Sequence, residues 1–205
     1  MHIIGNSGPG MAVTVANYLE SKAIPVFMVG KVPRTDMTTT GKYQWCRTDF
    51  GSASDVIGVV NDNQELWESG ERVESITFIP PHPEESDPRL SDQLHFSRAA
   101  HELVYGPMMM YRYLEQFGML APACRVLFVQ PVALFRPEIG PWYSAVLQYK
   151  MLLKCLDLEY GMKRIGDTFS MLRYRVDDID IEDEVTRNVE RHLLDTDPSS
   201  TVWGI

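Results

Sequence analysis

The 205 residues carry 44% hydrophobic and 23% charged side chains, enough apolar material for one sizeable core in a single domain spanning 1–205. A net charge of -9 argues against a nucleic-acid groove or an anionic membrane surface as partner, because both recruit clustered Lys and Arg. Cys46, Cys124 and Cys155 are far apart and form no CxxC pair, which suggests neither a disulfide framework nor a zinc site. No basic leader precedes an apolar run, and no apolar stretch reaches about 18 residues, so the expectation is a soluble cytoplasmic protein.

Ile3 and Ile4 lead into Gly5-Asn6-Ser7-Gly8-Pro9-Gly10, and Met11 to Lys22 then carries apolar residues at Val13, Ala16, Tyr18 and Leu19. This pattern predicts a strand, a glycine turn and a helix. Pro25 to Val29 is a short, fully apolar run ending at Gly30, as expected of a parallel strand covered on both faces. Lys31 to Gly41 is polar and reads as a loop. Tyr43 to Cys46 is a candidate third strand, Ser54 to Asn61 a helix, and Val73 to Ile79 a fourth strand.

Pro80-Pro81-His82-Pro83 ends that strand, since proline lacks the ladder donor and clashes with a preceding helical turn. Ser91 to Phe117 has a helical pattern that breaks around Gly106-Pro107. Arg125 to Val129 is a fifth strand, Trp142 to Tyr160 a long helix closed by Gly161, Arg164 to Leu172 a sixth strand, and Ile181 to Leu194 a last helix. Asp177 to Glu184 reads as a solvated acidic loop leading into that helix, where carboxylates suit the positive helix end. Alternating strands and helices predict an α/β, Rossmann-like doubly wound parallel sheet with helices on both faces, its last strand missing or very short.

The order of elements resembles the short-chain dehydrogenase/reductase family over nearly the whole chain. Gly5 to Gly10 resembles its glycine turn, Asp49 in Arg47-Thr48-Asp49-Phe50 the Asp after its third strand, and Tyr143 in Trp142-Tyr143-Ser144-Ala145 its catalytic Tyr. Leu193 to Gly204 resembles the family's last helix and following turn. The resemblance implies an NAD(P) cofactor held by Gly5, Ser7, Gly8, Gly10, Lys31 and Asp49, and a catalytic role for Tyr143. Lys31 and Arg34 follow the second strand where no acidic residue waits for a ribose hydroxyl, which favours NADP.

The departures from the pattern point the other way. The lysine of YxxxK is Leu147, four places after Tyr143, and the catalytic Ser position falls near Gln130, beside Pro131 and Val132. The segment after the fourth strand is Ile79-Pro80-Pro81-His82, Ile4 replaces the usual Thr, and Met11 replaces a glycine. A phenol with an ordinary pKa of about 10 needs a neighbouring cation to exchange its proton near neutrality. Lys150 and Lys154 lie two and three helical turns on, out of reach of the Tyr143 ring.

Each feature has a bland reading as well. The glycine turn either cradles a pyrophosphate or is a tight turn; Tyr143 is either an acid/base or a packed aromatic. Of His82, His95 and His101, the last two are six apart on a helix and point to different faces, and no carboxylate or Cys completes a set, so no metal site is expected. Met108 to Met110 and Met151 to Leu153 are a pocket lining or a core and interface stripe. The resemblance implies homo- or hetero-oligomers joined through helices 91–117 and 142–160. The expectation is a catalytically degenerate subunit that pairs with an active dehydrogenase/reductase; the alternative is an NAD(P)-dependent oxidoreductase of a small carbonyl or alcohol with a non-standard site.

Overall fold

A computed structural model of the chain describes residues 1–7, 11–31, 44–63, 70–79, 100–132, 168–175 and 181–194. Among these residues six strands form one sheet. Strand β1 (His2–Ser7) is flanked on one side by β2 (Val26–Gly30) and β3 (Gln44–Arg47). On the other side lie β4 (Val73–Phe78), β5 (Leu120–Val132) and β6 (Thr168–Arg175). Every pairing is parallel, so all strand carboxyl ends open on one edge. The order reverses between β1 and β4, and a doubly wound sheet places its ligand crevice at such a reversal.

Side-chain alternation along the strands builds two cores. Ile3, Phe27, Val29, Ile76, Phe78, Val126 and Phe128 face one layer, with α2 (Ala53–Asp62) and α3 (Gly106–Gln116) packed over them. Ile4, Val26, Met28, Leu127 and Val129 face the other, under α1 (Met11–Ser21) and α4 (Ile181–Leu194). Tyr18 of α1 donates to the Glu190 carboxylate of α4 at 2.6 Å, fastening that second layer. Strand β2 is buried at all five positions, as its unbroken apolar sequence requires.

Helix α2 begins where Ser52, in extended backbone, accepts from the Asp55 N–H through its hydroxyl. The break around Gly106-Pro107 takes a specific form: a π-helical turn, His101–Tyr105, runs straight into α3. Gly106 donates to the carbonyl of His101, five residues back. Pro107 has no N–H for the carbonyl of Leu103 and its ring crowds that oxygen, so the backbone widens by one residue there.

Boundaries differ from expectation in three places. Strand β1 runs through Gly5 to Ser7, with an irregularity that pairs Gly5 with Val29 and Ser7 with Gly30. Strand β5 starts at Leu120, because three extra residues bulge out between the pairs Val73↔Leu120 and Ser75↔Arg125, with Ala123 at φ 60°. Strand β6 begins at Thr168 and continues to Arg175, pairing with β5 as far as Val132. The helix expected over 142–160 and the residues after 194 lie outside the described residues.

Candidate functional site

The carboxyl ends of β2 and β3 meet the π-helical turn before α3 in one cluster. Lys31 directly follows β2, Asp49 stands two residues beyond β3, and Glu102 sits in the π-helical turn before α3. The Lys31 ammonium lies 2.9 Å from Asp49 Oδ1 and 2.5 Å from Glu102 Oε1. Asp49 Oδ1 also accepts the Gly51 N–H at 2.8 Å. Thr48 donates its N–H to the Gly30 carbonyl at 3.0 Å, which carries the β2–β3 ladder up to the residue beside Asp49.

Two glycines explain why these segments meet. A Cβ on Gly106 would collide with the backbone carbonyl oxygen of Phe50, so α3 can dock on the 49–51 turn only with glycine there. That contact sets Glu102, one turn earlier, over Gly51 and Lys31. Phe50 is buried edge-on to Phe78, which stacks on Phe128 with ring centroids 5.1 Å apart, so the turn bearing Asp49 is anchored in the core. A Cβ on Gly5 would lie 2.8 Å from the Phe78 ring. Gly5 therefore has a packing reason to be glycine that is independent of any phosphate.

Lys31 bridges the two carboxylates, pairing with both from the end of β2. Burial alone would lower the Lys31 pKa; the hydrogen bonds to Glu102 and then Asp49, with the charges of both, overcome it and hold the ammonium above the usual lysine value. Lys31 thus remains charged throughout the neutral range. All three side chains keep partial contact with solvent, Glu102 the least at 21%.

Of the residues expected to bind a cofactor, Gly5, Ser7, Lys31 and Asp49 come to the same edge of the sheet, Ser7 beside Gly30 in the strand pairing and Lys31 bonded to Asp49. Gly8, Gly10, Arg34, Tyr143 and Leu147 lie outside the described residues. Gln130, where the resemblance implies a catalytic Ser, is on β5 near its carboxyl end and pairs with Arg173. From Val126 to Val132 that strand contains no hydroxyl side chain. The expectation that Lys31 meets a 2′-phosphate rested on the absence of an acidic residue at the end of the second strand; in the structure Lys31 bonds Asp49 and Glu102. Glu102 was not foreseen, and the Gly106-Pro107 pair was the one local sign of unusual geometry near it.

Solved structures with this arrangement are numerous. An oxidoreductase of the short-chain dehydrogenase/reductase type from Brucella ovis superposes with a TM-score of 0.76 at 13% identity, covering 98% of this chain and 95% of that one. The chain has the short-chain dehydrogenase/reductase fold. A putative oxidoreductase from Escherichia coli K-12 matches with a TM-score of 0.73 at 13% identity over 98% of this chain and 92% of its own. A carbonyl reductase from Pseudomonas aeruginosa PAO1 matches with a TM-score of 0.68 at 15% identity, covering 93% and 89%. No family profile and no curated protein matches the sequence. Among the described residues no helix is long and apolar enough to cross a membrane.

Proposed function

We propose that this chain is a dehydrogenase/reductase-like subunit that holds a nicotinamide dinucleotide at the carboxyl edge of its sheet. It lacks a complete Tyr-based proton-transfer apparatus of its own and works in an assembly with an active partner. The observation that carries this reading is the end of β5, where Gln130, Pro131 and Val132 stand in place of a hydroxyl that would orient a carbonyl oxygen. Leu147 in place of the lysine after Tyr143 points the same way. Half-exposed Tyr105 and Phe117, at the two ends of α3, support the 91–117 segment as a docking face, with 142–160 as its companion. Among the described residues Cys46 and Cys124 form no disulfide, in keeping with a reducing cytoplasm.

The test is to purify the full chain, determine its size by sedimentation, and assay NADH- and NADPH-dependent reduction of a panel of small aldehydes and ketones. The expected outcome is cofactor binding with negligible turnover, and activity only with a co-purifying subunit. A monomer that turns over on its own would overturn the reading.

A second reading, an active NAD(P)-dependent oxidoreductase of a small carbonyl or alcohol, is favoured by the near-complete span of the oxidoreductase structures and by the carbonyl reductase among them. Under it, Tyr143→Phe abolishes turnover and Leu147→Lys increases it, as restoring a cation beside the phenol requires.

A further inference from the structure

We draw no further inference here: the strongest candidate, the half-exposed aromatic patch of Tyr105 and Phe117 at the two ends of α3, belongs to the docking face already described, and nothing in the structure shows what covers it.

Discussion

Glu102 and Lys31 meet at 2.5 Å although 71 residues of chain separate them. The contact ties the turn before α3 to the end of β2, and Asp49 closes the group from the end of β3. Half-exposed ion pairs contribute little on their own, so its stabilising effect is small and its geometric effect is the greater. Lys31→Met is expected to lower stability by no more than about 1 kcal/mol at neutral pH, by urea denaturation. The pH dependence has a definite sign. Because the folded pKa of Lys31 is raised, its contribution is fully present below the ordinary lysine value of about 10.4 and is lost as pH rises through the folded value. The stability difference between wild type and Lys31→Met should therefore shrink above about pH 10.5 and stay flat from pH 6 to 9.

Gly106→Ala should be among the costlier single-methyl additions in the chain. Its Cβ would be driven into the Phe50 carbonyl, and the helix must lift off the turn to relieve it. The expected loss is about 1–3 kcal/mol in urea denaturation. If α3 lifts, Glu102 also leaves Lys31.

Helices α1 and α3 end on the same motif with different residues. Ile24 donates to Leu19 and Ala23 to Glu20 after α1; Met119 donates to Leu114 and Gly118 to Glu115 after α3. Both caps need a left-handed residue, Ala23 at φ 60° and Gly118 at φ 66°. Alanine has a steric cost there that glycine avoids. Ala23→Gly should stabilise the chain by about 0.5–1 kcal/mol and Gly118→Ala should destabilise it by a similar amount, read as opposite shifts in urea midpoint.

His2 gives an acid-side prediction. Its ring nitrogen Nδ1 bonds the Ser75 hydroxyl at 2.9 Å in a half-buried setting. Burial, then the nearby N-terminal ammonium, lower its pKa from the ordinary 6.5 despite Glu74 nearby. A depressed folded value means the folded state favours the neutral ring. Stability from this group is present above pH 6.5 and is lost as pH falls through the folded value. His2→Gln, which has no titrating ring, should flatten the part of the stability profile just below pH 6.5 in thermal melts.

Much of the scaffold could be read from residues alone because its determinants are local. The apolar run before Gly30, the Arg125 to Val129 segment and Val73 to Ile79 each mark a buried parallel strand. Gly106-Pro107 marked a helix irregularity because a missing N–H is a property of one residue. Strand β5 was longer than its apolar run, since its bulge and the polar end at Gln130 are stabilised by pairing with β4 and β6. The site was legible only in halves. Lys31 and Asp49 follow strands and could be placed at the sheet edge by counting elements, whereas their contact with each other and with Glu102 depends on how α3 docks. On its own helix, Glu102 has the pattern of an ordinary solvent-facing carboxylate. Its importance comes from packing between distant segments, which periodicity does not encode.

A sheet in which all neighbours run the same way has no hairpin from which to start. Each strand pair must close a crossover of about a dozen residues or more before it gains a ladder bond, so chain closure entropy is spent early and repaid late. Folding should accordingly be slow for a chain of this size, on the millisecond-to-second scale. As the chain leaves the ribosome, Lys31 and Asp49 emerge well before residue 102. The contact between Lys31 and Glu102 therefore forms only after the fourth strand and the helical turn behind it are made.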